Sequence, residues 1–192
     1  MLPKSTETER GRYLMNIVDG STPEALAQWP PLAPDDYSLV GGYIVLYSYI
    51  DFNLRRIVEA IEEAGELTTI GKGKAGNLTI ADVEKAIQAI PELSTGPNRF
   101  AFERISTLRG FRNLLAHFSM KRFPNEDAFL FVTRSLRDYK RELGRDPEPG
   151  EALSAIVEVS QLQKAVQEIN GLLAWLAEIT VQIEGWKPKS SA

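Results

Sequence analysis

Apolar side chains recur every three or four residues between about Tyr37 and Glu63, with polar side chains between them. The positions that form this stripe are Tyr43, Tyr47, Ile50, Leu54, Ile57 and Ile61. Steps of three and four residues place side chains on one face of an α-helix, so the pattern predicts one long amphipathic helix. The β-branched and aromatic stretch within it would also suit a strand, but it continues to Glu63 without a turn signal.

A second stripe of this kind lies in the C-terminal part of the chain. It alternates four- and three-residue steps through Ala155, Val159, Leu162, Val166, Ile169, Leu173, Leu176, Thr180 and Ile183. We predict a helix from about Glu151 to Ile183, preceded by a linker over Asp146 to Gly150. Such a seam fits the shallow crossing angles of a helical bundle, and an intermolecular coiled coil is the alternative.

The middle of the chain combines a helix with a turn between two short apolar runs. Pro97 begins a predicted helix that extends to about Phe118. Residues 119–123 and 128–133 then flank the turn-forming sequence Pro-Asn-Glu-Asp, which predicts a β-hairpin. A glycine-rich loop between Gly65 and Gly76 precedes a further predicted helix at 79–90.

The two ends of the chain differ from this central pattern. Residues 1–35 are rich in Pro, Ser, Thr and charge, and one short helix is predicted where Ser21 and Thr22 precede Pro23. We therefore predict a Pro-rich N-terminal segment (1–35), a helical domain (36–186) and a flexible tail (187–192). The predicted fold is all-α, an up-and-down bundle of four to five helices with a small β-hairpin insertion near 119–133.

Composition limits the available chemistry. The 192 residues contain no cysteine and one histidine, which excludes disulfides, zinc-thiolate sites and thiol catalysis and argues against a histidine-based metal centre. We therefore expect no metal and no cofactor. The most apolar run, Leu39 to Ile50, is shorter than the roughly 20 residues that span a bilayer, and no secretory signal is visible. The expected location is the cytoplasm, with no membrane partner.

Charge is unevenly distributed along the chain. The formal net charge is −4, which argues against a protein that coats nucleic acid through a global positive field. Residues 99–145, however, hold 11 Lys and Arg against 5 Asp and Glu, a net of +6, so the remainder carries −10. This basic region suits a focused anionic ligand, although a solvated face with scattered ion pairs would have the same composition.

The segment from Leu108 to Phe118 carries the most informative chemistry, because it includes the single histidine. At about 100° per residue, the apolar side chains fall on one arc of the predicted helix. The adjoining arc holds Arg112, Ala116, Arg109, Asn113 and His117, in that order. A phosphate-binding cation, a polar amide and a proton shuttle active at neutral pH thus share one surface, a combination that suits phosphodiester chemistry.

Arg112 and His117 lie about 140° apart on an ideal helix, so they do not simply stack. Their convergence needs the long side chain of Arg112 or a frayed last turn at His117. The small Ala116 lies between them and would let a second helix approach closely. We therefore predict a homodimer through Ala116 that brings the Arg112 and His117 side chains of two copies together.

The pattern Arg112-Asn113-x-x-x-His117 resembles the Arg-polar-x(3 to 5)-His signature of HEPN domains, which are small all-helical proteins. Many of them are metal-independent endoribonucleases of toxin–antitoxin and phage-defence systems. The resemblance implies RNA as the substrate, and a separate antitoxin protein is a further partner to expect. It also implies catalytic roles for three residues: His117 as general acid or base, Arg112 as stabiliser of the transition state, and Asn113 as an orienting group. We further expect Arg109, Lys121 and Arg122 to bind RNA.

Three alternative interpretations remain open. A histidine near a helix C-terminus interacts favourably with the helix dipole, so His117 and the two arginines could be ordinary surface residues. A non-catalytic HEPN-like domain could bind RNA or a protein partner through the same face. A coiled-coil adaptor would instead use the C-terminal seam.

Overall fold

The computed structural model describes residues 8–63, 83, 96–148 and 151–185. The predicted loop at 65–76 and tail at 187–192 lie outside these ranges, as does the predicted helix at 79–90 apart from the buried Val83. The chain divides into two compact units. Unit 1 comprises Met1–Ile44 and Gly110–Val166, and unit 2 comprises Val45–Arg109 and Gln167–Ala192.

Six helices and three strands lie within the described ranges. In chain order they are α1 (Glu9–Asp19), α2 (Pro23–Ala27), α3 (Pro34–Glu63), α4 (Gly96–His117), β1 (Ser119–Arg122), β2 (Ala128–Thr133), α5 (Leu136–Leu143), β3 (Leu153–Glu158) and α6 (Val159–Glu184). The prediction of a mostly helical fold with a β insertion is confirmed. None of the described helices is long and apolar enough to cross a membrane.

The long helix α3 follows the predicted stripe. All six apolar positions of that stripe are buried, and Tyr43, Tyr47, Ile50 and Ile57 are completely so. At its N-terminus, the carboxylate of Asp36 accepts a hydrogen bond of 2.9 Å from the backbone N–H of Ala33. Pro34 occupies the first position, where a missing N–H leaves no helical hydrogen bond unmade. Periodicity and capping therefore agree on where α3 begins and which face it buries.

The predicted hairpin is confirmed, and it forms part of a larger sheet. Strands β1 and β2 are antiparallel, with Ser119 opposite Val132 and Arg122 opposite Phe129. The connecting turn places Asn125 at φ 59°, a left-handed conformation that asparagine tolerates better than most residues. Strand β2 also pairs with β3, so the order of the three-stranded antiparallel sheet is β1-β2-β3.

Strand β3 corrects two predictions. The helix predicted from Glu151 is wrong over residues 153–158, because this segment pairs with β2 and the helix begins at Val159. The all-α class is consequently too narrow for this chain. Ala155 and Val159 are four residues apart and fit helical spacing, but Leu153, Ala155 and Val157 also alternate as a strand requires. Pairing with β2 decides between the two.

The core of unit 1 covers one face of the sheet. Its buried members are Leu14, Trp29, Phe123, Ala128, Leu130 and Ile156. Leu14 comes from α1, a helix that the sequence analysis did not predict, and Thr8 caps that helix by accepting a hydrogen bond of 2.9 Å from the N–H of Gly11. The rings of Trp29 and Phe123 lie 4.6 Å apart between centroids. The N-terminal residues thus pack against β1 to β3.

Polar contacts fasten the hairpin to the residues around it. The guanidinium of Arg122 donates to Asp36 at 2.7 Å and to Asp127, and lies 5.1 Å from the ring centroid of Phe129. On α1, Arg10 and the hydroxyl of Tyr13 both donate to Glu126, which lowers the pKa of that carboxyl. These contacts fix where β1 and the turn after it lie within unit 1.

A second set of polar contacts lies in the connection between α5 and β3. Helix α5 ends at Gly144, which adopts φ 71° in the left-handed region that glycine allows. Arg145 then binds both carboxylate oxygens of Glu151, at 2.6 and 2.8 Å. The hydrogen bonds from Arg145 and from Tyr139 lower the pKa of Glu151 to about 2. The carboxylate therefore stays ionised and paired at neutral pH.

Unit 2 is entirely helical over its described residues. The hydroxyl of Tyr47 donates to the carbonyl of Ile105 at 3.1 Å, and Arg104 binds both carboxylate oxygens of Glu168 at 2.6 Å. The rings of Phe102 and Trp175 meet edge to face at 5.5 Å. Among the predicted C-terminal seam positions, Ile169, Leu176, Thr180 and Ile183 of this unit are buried, as is Leu162 in unit 1. This seam therefore serves the fold of the chain itself.

We expect Arg122→Ala to lower the free energy of unfolding by on the order of 2 to 3 kcal/mol, since it removes the cationic partner of the buried Asp36 carboxylate. Asp127→Ala is the matched control, because this second carboxylate is 69% exposed and its loss should cost less than about 1 kcal/mol. Urea denaturation followed by circular dichroism measures both. Equal losses for the two variants would contradict the importance given to the Asp36 contact.

Candidate functional site

The candidate site lies on the last two turns of α4, residues 110–117, which pack within unit 1 by their apolar side. Leu114 and Leu115 are buried there, and the ring of Phe111 lies 6.4 Å from that of Tyr43 on α3. On the other side, Ala116 and His117 are exposed, and Arg109 is exposed seven residues before Ala116 on the same helix. The apolar residues thus leave one side of α4 open to a ligand.

Arg112 and Asn113 form the ordered polar part of this surface. Both side chains are half-buried, and Nη1 of Arg112 donates to Oδ1 of Asn113 at 3.3 Å. An amide oxygen orients a guanidinium but leaves its charge in place. No carboxylate among the described residues forms an ion pair with Arg112 or Arg109. Because partial burial of an unpaired charge costs free energy, an anion bound at Arg112 would repay that cost.

His117 lies where the helix passes directly into the sheet. It is the last residue of α4, and β1 begins two residues later at Ser119. The N–H of Phe118 still donates to the carbonyl of Leu114 at 3.1 Å, so the helical hydrogen-bond pattern continues through the junction. Regular secondary structure therefore lies on both sides of His117, and this fixes the backbone position from which its exposed imidazole extends.

The structure gives Lys121 and Arg122, predicted to bind RNA, contacts inside unit 1. The ammonium of Lys121 donates to the carbonyls of Ala27 and Trp29 at 3.1 and 3.3 Å. Arg122 is shared by the carboxylates of Asp36 and Asp127. An arginine paired with two carboxylates has little charge left for a phosphate, whereas a lysine bound to neutral carbonyls keeps its charge. The predicted RNA contact of Arg122 is therefore weaker than that of Lys121.

No family model, curated protein or solved structure matches the chain. The resemblance to HEPN domains stays a prediction carried by residues 112–117. The catalytic roles predicted for Arg112, Asn113 and His117 and the interface predicted at Ala116 likewise stay predictions.

One feature beside this site escaped the sequence analysis. A surface depression of about 310 Å³ has Tyr37 and Val40 of α3, Leu115 of α4, and Met120 and Lys121 of β1 in its lining. Tyr37 is 59% exposed although it follows the capping residue of an otherwise well-buried helix. An aromatic side chain on the polar side of the predicted helix was the signal that could have indicated it.

We expect Arg112→Met to leave the free energy of unfolding unchanged or to raise it by up to about 1 kcal/mol, because it removes a half-buried charge that no described carboxylate neutralises. Arg122→Met is the matched comparison, and it should destabilise because it deprives Asp36 of its partner. Thermal and urea denaturation provide the readout. A loss above about 1 kcal/mol for Arg112→Met would assign Arg112 to the fold instead of to a ligand site.

Proposed function

We propose that this chain is a metal-independent endoribonuclease of the HEPN type, with a helical-bundle domain that acts in the cytoplasm. One observation carries the proposal: the half-buried Arg112 is oriented by an amide and pairs with no described carboxylate, five residues before the exposed His117. The basic composition of residues 99–145 supports an anionic substrate. A role as a toxin or phage-defence effector, with a separate antitoxin, is the biological setting that the HEPN resemblance implies.

The proposed reaction is attack by the 2′-hydroxyl of a ribose on the adjacent phosphorus. The 2′-oxygen forms a bond to phosphorus and loses its proton, while the bond from phosphorus to the 5′-oxygen breaks and that oxygen gains a proton. The products are a cyclic phosphate and a free 5′-hydroxyl. The nucleophile belongs to the substrate, so DNA, which lacks this hydroxyl, is not cleaved.

His117 supplies the proton transfers in this scheme, and the neighbouring residues stabilise charge. Arg112 stabilises the additional negative charge on the phosphate oxygens in the transition state, and Asn113 holds Arg112 in place. Arg109 binds a neighbouring phosphate and contributes to affinity more than to the chemical step. The reaction needs one base and one acid, while each chain contains one histidine. A symmetric dimer resolves this, because His117 of one copy accepts a proton and His117 of the other donates one.

The second candidate is a non-catalytic helical domain that binds RNA or a protein partner through this surface. The apolar depression beside α4 supports this candidate, since a depression of this kind can bind a ligand without any reaction. The coiled-coil adaptor is not proposed, because the positions it would use are buried within the single chain. Activity separates the two remaining candidates.

Cleavage of single-stranded RNA by the purified chain should persist in EDTA, and His117→Ala or Arg112→Ala should each lower the rate by on the order of a hundredfold. These are the magnitudes expected for losing an acid/base group or a charge-stabilising group. Cleavage is followed by gel electrophoresis of end-labelled RNA, with mass spectrometry to identify the cyclic phosphate. Arg109→Ala should mainly raise the KM.

The matched control for charge removal is Arg137→Ala, which deletes an exposed arginine of α5 outside the site. It should cleave at the wild-type rate. The variants at the exposed Arg109, His117 and Arg137 should stay folded, since changes at exposed positions cost less than about 0.5 kcal/mol. Urea denaturation checks that the half-buried Arg112→Ala is folded as well. A folded His117→Ala protein with full activity would exclude His117 from catalysis, and loss of wild-type cleavage in EDTA would exclude a metal-independent reaction.

The chain should form a homodimer in solution, and Ala116→Arg should convert it to a monomer, because a long charged side chain would hold the two α4 helices apart. Light scattering coupled to size-exclusion chromatography gives the masses. Ala177→Arg, at an exposed alanine of α6, is the control that should remain dimeric. A monomeric wild type, or a dimer that survives Ala116→Arg, would contradict the composite site.

A further inference from the structure

The surface depression in unit 1 is lined mainly by apolar side chains. They come from the segment before α3 (Leu32), from α3 (Val40), from the end of α4 (Leu115), from the junction after it (Phe118) and from β1 (Met120). Val40 and Leu115 are buried, and Phe118 and Met120 are half-buried. The walls therefore offer a mainly apolar contact surface to a ligand, and burying apolar or aromatic groups against it is favourable.

The size of the depression limits what it can hold. Its volume of about 310 Å³ lies at the lower end of the range of roughly 300 to 1,000 Å³ typical of small-molecule pockets. A single planar ring system fits this size better than a larger ligand. The occupant is thus one monomer-sized group, whether it is free or part of a chain.

Two lining residues indicate the chemistry of that group. Tyr37 is 59% exposed while it lines the depression, so its ring offers area for stacking. The ammonium of Lys121 uses two of its three donors on the carbonyls of Ala27 and Trp29, which leaves one donor for a ligand oxygen within the described surroundings. An aromatic ring and one cationic donor together suit a nucleobase with a carbonyl oxygen, and the positive charge also suits the phosphate attached to it.

The depression and the candidate catalytic residues share one short segment. Leu115 and Phe118 line the depression, and the residues between them are Ala116 and His117. Arg112 precedes Leu115 by three residues, so the two are neighbours on one ridge of α4. A nucleotide whose base occupies the depression would therefore have its phosphate within reach of the same helix end.

We infer that the depression binds one unpaired, oxo-bearing base of the RNA substrate, with Tyr37 as the stacking residue and Lys121 as the donor. This inference rests on the proposed function, because it assigns a base-binding subsite to the same RNA. An apolar protein side chain would gain from the apolar walls but would bring no negative charge to the Lys121 ammonium or to Arg109 and Arg112, which form no ion pair with a described carboxylate. The charge of this surface consequently favours RNA over a peptide.

Binding measured apart from cleavage tests the inference. The probe is a fluorescein-labelled 2′-O-methyl oligouridine, which the proposed reaction cannot cut, compared with an abasic oligonucleotide of equal length and charge. Fluorescence anisotropy should show that wild type binds the oligouridine roughly five- to a hundredfold more tightly than the abasic strand, the usual scale for stacking of one base. Tyr37→Ala should abolish this preference, and Tyr37→Phe should retain it.

Tyr49→Ala is the matched control, because this tyrosine of α3 is 54% exposed but lies twelve residues further along the helix. It should keep the preference. Equal binding of the two strands by wild type, or a preference that survives Tyr37→Ala, would overturn the inference. Binding of neither strand would also overturn it and would favour an apolar protein side chain as the occupant.

Cleavage assays distinguish a failure of this subsite from a failure of the proposed function. Cleavage that depends on His117 without any base preference would support the nuclease proposal and exclude the base-binding subsite. If wild type shows the base preference, Tyr37→Ala loses it and neither protein cleaves RNA, the subsite would be supported in a protein that binds RNA and does not cut it.

Discussion

The ion pair between Arg122 and Asp36 determines how the end of α4 is held in unit 1. Strand β1 has four residues and none of them is fully buried, so hydrophobic packing alone would position it poorly. Arg122 instead joins β1 to the first turn of α3 through a carboxylate that is nearly inaccessible to solvent, and its own N–H donates to the carbonyl of Pro30. Lys121 adds two bonds to the carbonyls of Ala27 and Trp29. Because β1 follows His117 almost directly, these polar contacts also fix the backbone of the candidate site.

Arg112 and Arg122 show how one residue type can serve opposite purposes in neighbouring elements. Both are partly buried cations of the basic central region. Arg122 is neutralised by two carboxylates, whereas Arg112 is bound by an uncharged amide. A count of charges along the sequence treats the two as equal. Whether a cation stabilises the fold or is available to a ligand depends on which acidic residues the fold brings near it. The buried partner of Arg122, Asp36, comes from a segment distant in sequence.

Elements that depend on residues close in sequence could be predicted, and elements that depend on distant contacts could not. The stripe of α3 and the hairpin turn at Asn125 depend on spacing and turn chemistry within a few residues, and both were predicted. Helix α1 was missed because its buried apolar contribution is a single residue, Leu14, whose burial depends on the distant sheet. Strand β3 was missed because its apolar spacing fits both a strand and a helix, and pairing with β2 selects the strand. The candidate residues on α4 were chosen from their types and spacing and stay predictions, while the depression beside them requires two stretches distant in sequence, 31–40 and 115–121, to meet.

The two described tryptophans lie in different units, and this gives the protein a built-in pair of optical reporters. Trp29 is buried against Phe123 in unit 1, and Trp175 contacts Phe102 in unit 2. Indole emission shifts when the surrounding side chains give way to water, so chains that retain one tryptophan at a time would report separately on each half of the molecule. The cooperativity of unfolding between the two units can therefore be followed without any added label.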